Sequence, residues 1–328
     1  MDLIQEAADG LPIAGWSVAL PNFVPSVSSI RTKASMLECL TLLVGRGGPF
    51  LLSAFDVAQC TDGVRRQVVQ LLQRQRTNGG GVFLDSGTYE GQWRTDAEWD
   101  ASAFDEVVSE VPHDYRFVYD SHHPPETAQA IAEAVEESVV RAQECGNGTV
   151  IPIVHGRPSV IREAVHLTAQ AIEPMMLAVP ERRLGRGLID RAGMIRRIRL
   201  SLNELPAYVP LHILGTGHPV SLITYSLAGA DSFDGLEWCR QVIDHETGRV
   251  LPFEHWDLLQ DGSSVDSGPE WPWAIHPLFY NLRFYDQFMR RLRVARSAGT
   301  LDALLGEHVG GAVLTRLLEA CQKGDTAQ

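Results

Sequence analysis

Short apolar runs alternate with predicted helices along most of this chain. The runs end in polar or small residues and are predicted to be buried strands at 50–56, 81–87, 115–121, 150–156, 175–181, 209–217 and 231–235, with a less regular one at 22–30. The predicted helices lie near 62–75, 125–144, 158–173, 187–202 and 218–228. Strands that alternate with helices are typical of βα units and a parallel sheet. Eight such units predict an α/β fold, a (β/α)8 TIM barrel, with a doubly wound open sheet as the alternative.

Length and composition favour an ordinary globular protein. The chain has 328 residues, of which 45% are hydrophobic and 21% charged. We expect one barrel domain over 1–328, with 281–328 as a C-terminal helical extension. Residues 1–10 lack the basic region of a signal peptide, and the longest uncharged stretch, 205–230, is broken by prolines and glycines, so no membrane span is predicted. Five cysteines without paired spacing favour reduced thiols and a cytoplasmic location.

The residues that end the predicted strands are the most informative feature of the sequence. They are Asp56, Asp85, Asp120, His155, Glu181, Gly215 and Asp234. The carboxyl ends of barrel strands converge on one mouth, so polar side chains there share a pocket. Asp56 is interpreted as a helix cap. The remaining four carboxylates and the histidine predict a chemical site at the mouth.

Two kinds of chemistry suit such a cluster. Asp, Glu and His could ligate a metal, but the His-x-His pair of barrel metallohydrolases is missing, and the adjacent His122 and His123 are interpreted as a solvated loop. Gly215-Thr216-Gly217 lacks the third glycine of a phosphate loop and predicts a tight turn near a flat ligand. Two carboxylates without a metal fit glycosyl transfer, in which one attacks the anomeric carbon and the other moves protons.

Five segments carry a resemblance to a known family. They are LDSGTYE (84–90), YDSHHPPET (119–127), IVHG (153–156), LHILGTGHPVSLITYSLAGADSFDG (211–235) and NLRFYDQFMRRLR (281–293). In this order they resemble the guanine-transglycosylase superfamily. Its members are (β/α)8 barrels that exchange a guanine in tRNA, or in some relatives DNA, for a 7-deazaguanine base. The resemblance covers about 81–304.

The resemblance implies a role for each matching residue. Asp234 resembles the nucleophile that attacks the ribose C1′, and Asp85 the general acid/base of an Asp-Ser-Gly motif that continues with Ser86. The implied base-binding residues are Tyr89, which stacks on the base, Asp120, which accepts hydrogen bonds from its edge, and Leu214 and Gly215, which cover its other face. The implied partners are a nucleic acid and a free 7-deazaguanine base, with no cofactor.

The chain departs from the family at three places. His155 stands where the family has a glutamine, and Glu181 lies at the base edge in place of a Gly-Gly-Leu run. The zinc-binding Cys-x-Cys-x-x-Cys cluster is absent, and Tyr280 stands where the fourth ligand, a histidine, would be. No bound zinc is therefore expected. This shifts the interpretation toward the DNA-modifying relatives without deciding between tRNA and DNA.

The charge pattern bears on the substrate. A net charge of −13 argues against a broad nucleic-acid-coating surface. Residues 182–199 nevertheless contain seven arginines against one acid, and 282–296 contain five more arginines. The residues predicted to contact phosphates are Arg196, Arg197, Arg290, Arg291 and Arg293. Solvated helix faces are the alternative.

The resulting prediction is a base-exchange transglycosylase that forms a covalent glycosyl-aspartate. The alternatives are a non-catalytic accessory barrel subunit and a hydrolase of nucleosides or modified bases. A homodimer or an accessory protein is a further expected partner. Asp231, three residues before Asp234, is interpreted as a surface residue or one behind the site, so its replacement by Asn is expected to be mild.

Overall fold

The structure of the protein, a computed structural model, describes residues 10–13, 16–30, 32–94, 99–260 and 271–322. Its strands are β1 (Gly10–Ile13), β2 (Trp16–Ala19), β3 (Asn22–Val27), β4 (Phe50–Ser53), β5 (Val82–Asp85), β6 (Tyr115–Phe117), β7 (Thr149–Ile151), β8 (Leu177–Pro180), β9 (Leu211–Leu214), β10 (Ser232–Gly235), β11 (Gln241–Ile243) and β12 (Val250–Pro252). Its helices are α1 (Met36–Arg46), α2 (Ala54–Ala58), α3 (Asp62–Thr77), α4 (Thr88–Trp93), α5 (Ala101–Glu110), α6 (Ala128–Glu144), α7 (Ile161–Ile172), α8 (Leu188–Leu202), α9 (Pro219–Ala228), α10 (Glu237–Arg240), α11 (Ile275–Ala298), α12 (Leu301–Gly306) and α13 (Gly311–Gln322).

Eight of these strands form one parallel sheet, in the order β7-β6-β5-β4-β3-β10-β9-β8. Strand β10 pairs with β3, so the last sheet strand along the chain lies beside the first. The two remaining edges meet through a parallel bridge between Ile153 and Ala178. The sheet is thus a nearly closed barrel surrounded by helices. The (β/α)8 prediction is confirmed, and all eight predicted strands are present.

The two-residue repeat of each strand separates two cores. Phe23, Leu52 and Leu84 belong to the large cluster beneath the helices, whereas Leu51 and Phe83 belong to the cluster inside the barrel. The side chains two positions after these inward-facing residues are those of Ser53 and Asp85, and both line a cavity at the carboxyl ends of the strands. The inward-facing side chains of β4 and β5 therefore change from apolar to polar over two residues, at the mouth of the barrel.

An N-terminal hairpin covers the opposite end of the barrel. Strands β1 and β2 pair antiparallel, and their residues Leu11 and Val18 join the interior cluster. The hydroxyl of Tyr115, the first residue of β6, donates a hydrogen bond to the carbonyl of Pro12. The hairpin thus packs against the amino ends of the strands.

One strand end differs from its prediction. Strand β4 stops at Ser53, and Asp56 lies in the short helix α2. The cap of this helix is Ser53, whose side chain accepts from the backbone N–H of Asp56. The Asp56 carboxylate instead accepts from the backbone N–H and hydroxyl of Ser29, at 2.7 and 2.5 Å. The interpretation of Asp56 as a cap was wrong, because its carboxylate binds the segment after β3.

The C-terminal helices begin earlier than predicted. Helix α11 starts at Ile275 rather than near 281. Its Tyr285 ring stacks on Phe23 of β3 with centroids 4.1 Å apart, and the Tyr285 hydroxyl donates to the Gly217 carbonyl at 2.7 Å. This helix therefore occupies the place of the eighth barrel helix. Residues 323–328 of the predicted extension lie outside the described residues.

Two further features of the described residues concern the cysteines and the hydropathy of the helices. The five cysteines are free thiols. No helix among the described residues is both long enough and apolar enough to cross a membrane.

Candidate active site

The mouth of the barrel contains a cavity of about 570 Å³, within the usual size of small-molecule sites. The cavity is lined by all nine residues predicted for catalysis and base binding: Asp85, Ser86, Tyr89, Asp120, His155, Glu181, Leu214, Gly215 and Asp234. The parallel barrel brings them together from six different strand ends, which explains how residues as far apart in the sequence as Asp85 and Asp234 can share one pocket.

Asp234 is held by three hydrogen-bonding groups. It follows Phe233, which is buried beneath the helices, so the strand repeat turns the Asp234 side chain toward the mouth. Its Oδ2 accepts from the Ser26 hydroxyl at 2.7 Å, and its Oδ1 accepts from the Gly215 backbone N–H at 2.9 Å. The Nε2 of His212 lies 3.2 Å from the same Oδ1. These contacts fix the carboxylate orientation through a hydroxyl, a backbone N–H and an imidazole.

Glycines shape the backbone around this carboxylate. Gly215 has φ +84°, a conformation that a residue with a side chain rarely adopts. A Cβ on Gly235 would lie 3.0 Å from the Gly217 nitrogen and 3.1 Å from the Thr216 carbonyl carbon. The predicted tight turn at 215–217 therefore fits closely against β10, and this contact brings the Gly215 N–H to Asp234.

Asp85 carries the carboxyl group whose pKa is most clearly suited to holding a proton among the predicted catalytic residues. Burial raises its pKa well above the usual value, and the nearby carboxyls of Glu90, Asp120 and Asp234 raise it further. The backbone N–H of Gly87 opposes this only partly, by donating to Asp85 Oδ2 at 3.1 Å. The raised pKa favours the protonated form of Asp85, which suits a general acid.

Asp120 has the opposite character. Its Oδ1 accepts from the Ser86 and Thr88 hydroxyls at 2.6 and 2.7 Å, and its Oδ2 accepts from His155 Nε2 at 2.6 Å. Burial opposes ionisation, but hydrogen bonds from His122, His155 and Ser86 outweigh it and hold the pKa of Asp120 below its usual range. Asp120 is an anion with most of its acceptor positions occupied.

The prediction for His122 was wrong. Its side chain is only 9% exposed and lines the cavity rather than a solvated loop. Its Nε2 lies 3.1 Å from the Thr88 hydroxyl and 3.2 Å from an Arg182 nitrogen. The loop after β6 folds back over the mouth, so the alternation expected of an extended segment does not apply there.

The ligand atoms of Asp120, His122 and His155 lie within 4.8 Å of one another and could hold a metal ion. The groups around them oppose this. Arg183 Nε donates to His155 Nδ1 at 3.4 Å, so the proton of a neutral His155 lies on Nε2 and points at Asp120. A ligating imidazole needs that nitrogen free and its other N–H directed at an acceptor. We therefore interpret the two histidines as hydrogen-bonding groups.

Glu181 lies across the mouth in the turn after β8. Tyr225 donates its hydroxyl to Oε1 at 2.7 Å, and Arg191 pairs with Oε2 at 2.8 Å. Both partners come from the surrounding helices. Each carboxylate oxygen retains a second acceptor position for a group in the cavity.

The sequence interpretation missed several cavity residues. Glu90 is buried and accepts from the Ser28 hydroxyl at 2.7 Å, and burial raises its pKa. Glu237 also lines the cavity, and burial raises its pKa to about 7. The sequence signal for both was their position, because Glu90 follows Asp85 by five residues and Glu237 follows Asp234 by three. His212 could have been noticed as the one polar residue within the apolar core of its strand.

Asp231 requires a correction. It is fully buried, just before β10 begins, at the end of the barrel opposite to the mouth. Its carboxylate accepts from Arg199 and Arg296 at 2.6 and 2.7 Å, from the Tyr208 hydroxyl at 2.6 Å and from the Leu211 backbone N–H at 2.9 Å. It is not a surface residue, and its partners imply that its replacement by Asn lowers stability, whereas its position at the far end of the barrel agrees with the expected mild effect on catalysis.

The arginines predicted to contact phosphates lie away from the cavity. Arg291 pairs with Glu307 at 2.6 Å on the surface, and Arg293 donates to the carbonyl of Pro21, just before β3 begins and thus at the far end of the barrel. Arg196 and Arg197 lie on α8, and Arg290 is exposed on α11. Among the described residues, the arginines that line the cavity are Arg182 and Arg240.

The region that would carry the family's zinc has other contacts. The Tyr280 ring stacks on His245 with centroids 3.6 Å apart. The Asn281 amide accepts from the Ile243 N–H at 2.9 Å and donates to the Trp238 carbonyl at 2.8 Å. Side-chain hydrogen bonds and stacking thus attach α11 to the β11–β12 hairpin.

No protein-family model matches this chain, and no curated protein does either. The chemical possibilities of the site therefore come from its own geometry. The carboxylate of Asp234, held by fixed hydrogen-bond donors, and the carboxyl of Asp85, whose pKa is raised, line one cavity large enough for a planar base. This arrangement supports nucleophilic attack combined with proton transfer.

Proposed function

We propose that this protein is a transglycosylase that exchanges guanine in a nucleic acid, tRNA or DNA, for a free 7-deazaguanine base. The proposal follows the resemblance of its motifs to the guanine-transglycosylase superfamily. The observation that carries it is the pairing of Asp234, oriented by uncharged donors, with Asp85, whose pKa is raised well above the usual value, in one cavity.

The first half of the exchange removes guanine. An Asp234 carboxylate oxygen forms a bond to the ribose C1′ while the bond from C1′ to the base nitrogen breaks. The electron pair of that bond leaves with guanine. The Asp85 carboxyl gives its proton to the departing base, so guanine leaves neutral and Asp85 becomes a carboxylate. The nucleic acid is then an ester of Asp234.

The second half reverses these roles. A nitrogen of the incoming base attacks C1′ and gives its proton to the Asp85 carboxylate, and the bond between C1′ and Asp234 breaks. The Asp234 carboxylate and the Asp85 carboxyl are both restored. The cycle consumes no further reactant.

Recognition of the base would use the edge and faces of the cavity. Tyr89 and the Leu214–Gly215 strand end are suited to its two faces. The N–H donors on the guanine edge need acceptors, because an unpaired buried donor costs about 1–3 kcal/mol. Asp120 has few positions left, so Glu181 is the more available acceptor, with Asp120 orienting His155 beside it.

The decisive experiment offers the protein two polymers separately. Purified protein is incubated with tRNA or with duplex DNA, together with radiolabelled 7-deazaguanine bases, and label in the polymer is counted. Denaturing gels show the covalent adduct, and Asp234→Asn is the matched control. Label in one polymer, lost in the control, is expected. Release of free guanine with no label incorporated would indicate a hydrolase. If neither polymer gives incorporated label, released guanine or a covalent adduct, the proposal is contradicted and a non-catalytic subunit is favoured.

A further inference from the structure

A histidine lies inside the barrel directly beneath the nucleophile candidate. His212 is in the middle of β9 and is fully buried. Its Nδ1 lies 2.7 Å from the Ser232 hydroxyl, and its Nε2 lies 3.2 Å from Asp234 Oδ1. A polar ring in an apolar interior is costly unless its nitrogens are hydrogen-bonded. Both nitrogens of His212 meet this requirement, and one of them does so through Asp234.

The hydrogen bonds continue away from the mouth. The Ser232 hydroxyl oxygen lies 2.5 Å from the side-chain amide of Asn22. Asn22 begins β3, Ser232 begins β10, and His212 belongs to β9, so three adjacent strands each contribute one member. The result is a buried polar row, Asn22–Ser232–His212, that ends at Asp234.

The amide orientation of Asn22 sets the direction of the protons. With its oxygen toward Ser232, the buried Asn22 Nδ2 has no partner. Rotating the amide by 180° makes Nδ2 the donor to Ser232 and leaves Asn22 Oδ1 without a partner. An unpaired buried acceptor is less unusual than an unpaired buried donor. Ser232 then donates to His212 Nδ1, so the ring proton of His212 lies on Nε2 and points at Asp234. The row thereby delivers one N–H to the carboxylate.

From this geometry we infer that His212 is a positioning residue that selects which oxygen of Asp234 attacks. The inference rests on the proposed function. Oδ1 is held by two donors fixed in the fold, the Gly215 N–H and His212. Oδ2 is held by the Ser26 hydroxyl, which can rotate away. Oδ2 therefore forms the bond to C1′, and Oδ1 becomes the carbonyl oxygen of the ester.

The same donors act when the ester breaks. As the bond between C1′ and Oδ2 cleaves, its electron pair returns to the carboxylate and negative charge develops again on both oxygens. Donors already aimed at Oδ1 stabilise that charge without rearranging. His212 thus stabilises the charge that returns to Asp234 when the adduct breaks, whereas its contribution to adduct formation is to orient the carboxylate. It need not contact the base for either role.

A matched pair of substitutions separates this role from simple packing. The amide nitrogen of His212→Gln reaches the position of Nε2 and keeps a donor to Asp234. The amide of His212→Asn reaches only the position of Nδ1 and keeps the contact with Ser232. We expect adduct formation to slow by about 10- to 100-fold in His212→Asn, with the KM for the base unchanged, and to stay within a few-fold of wild type in His212→Gln. Thermal unfolding shows whether both variants are folded.

A second readout does not depend on turnover. In protein labelled with ¹³C at aspartate carboxyls, the Asp234 resonance is assigned as the one lost in Asp234→Asn. It should shift in His212→Asn and remain near its original position in His212→Gln. If His212→Asn does not fold, Ser232→Ala, which removes the partner of Nδ1, should show a smaller change in the same direction.

The possible failures are distinguishable. Equal slowing in the Gln and Asn variants, or slowing in neither, would overturn the positioning role while leaving the transglycosylase proposal intact. A wild-type protein that forms no adduct would overturn the proposed function. In that case an unchanged Asp234 resonance in His212→Asn would also reject the contact between His212 and the carboxylate.

Discussion

Asp231 and Asp234 lie three residues apart at opposite ends of the same short strand, and both are buried. Asp231 lies at the amino end, where two guanidinium groups, a phenol and a backbone N–H occupy its oxygens. Asp234 lies at the carboxyl end, where a hydroxyl, a backbone N–H and an imidazole surround it. The two carboxylates have similar burial but very different partners.

The difference shows how a fold assigns structure and chemistry to identical side chains. A buried carboxylate between two cations gains stability from that geometry, and removal of one member leaves buried charge unpaired. Such a group joins β10 to α8 and α11 and has few lone pairs to spare. A carboxylate held by a hydroxyl, a backbone N–H and an imidazole keeps its orientation but retains an oxygen that can attack. Four predictions test this contrast, from the largest expected effect to the smallest.

The largest effect is expected for Asp234→Asn. The amide keeps the shape but cannot form the ester, so adduct formation and base exchange should fall by on the order of 10³-fold or more. Nucleic-acid affinity and the unfolding midpoint should stay close to wild type. Gel analysis of adducts and filter binding measure the two quantities. Exchange at the wild-type rate in this variant would remove Asp234 from the mechanism.

Asp231→Asn should show the reverse pattern. Loss of the negative charge leaves Arg199 and Arg296 without a counter-ion, and the free energy of unfolding should fall by about 3 kcal/mol. Below its lowered unfolding temperature, the folded variant should still form the adduct. Urea unfolding gives the stability, with Glu307→Gln as the control. That residue pairs with Arg291 on the surface, and its replacement should cost less than about 1 kcal/mol. Equal losses of unfolding free energy in Asp231→Asn and Glu307→Gln would show that the buried ion pairs contribute no more than the surface pair.

Glu237→Gln should change how stability depends on pH. The pKa of Glu237 is raised from 4.5 to about 7 in the folded protein. Below pH 4.5 both states hold the proton. As the pH rises from 4.5 to 7, the unfolded state ionises first, so this residue lowers stability by on the order of 3 kcal/mol at most.

The glutamine variant cannot ionise there and should gain stability over wild type as the pH rises through this window. Urea midpoints at pH 5 and pH 8 measure the gain, and Glu246→Gln on an exposed turn is the control. A constant difference between wild type and Glu237→Gln at the two pH values would show that Glu237 does not titrate in this range.

The smallest effect concerns the arginines. Arg182 lines the cavity, with its guanidinium 5.7 Å from the centre of the Tyr89 ring, whereas Arg291 is paired on the surface. Arg182→Ala should weaken nucleic-acid binding a few-fold and lower the salt slope by about one, and Arg291→Ala should change neither. Affinity measured over a series of salt concentrations decides this. The opposite result would favour the arginine clusters on α8 and α11 as the phosphate-contacting surface.

The fold was predictable because its signals are local. Each barrel strand is an apolar run, and its closing polar residue lies within one or two positions of the run, so the sequence alone predicts that Asp85 and Asp234 lie at one mouth. Alternation within a strand also explains why Phe233 and Asp234 face opposite ways.

The missed features depend on distant partners. Asp231 is bound by arginines 32 and 65 positions away, and the residues near Asp231 in the sequence do not indicate these partners. His122 lies in a loop whose path is set by contacts with Thr88 and Arg182. A loop has no hydrophobic periodicity from which the direction of its side chains could be predicted. His212 was missed for a different reason, because the apolar run around it predicted a strand without distinguishing the direction of its one polar side chain.

The hairpin that covers the amino end of the barrel has a kinetic consequence. Among the described residues, β1 and β2 cover that end, so in the proposed function a base would enter and leave through the mouth, where the nucleic acid would be attached to Asp234. The departing guanine and the incoming base would use the same route and could not pass each other. Exchange would then follow ping-pong kinetics, with double-reciprocal plots that are parallel for the two substrates. Guanine would act as a competitive inhibitor of the incoming base.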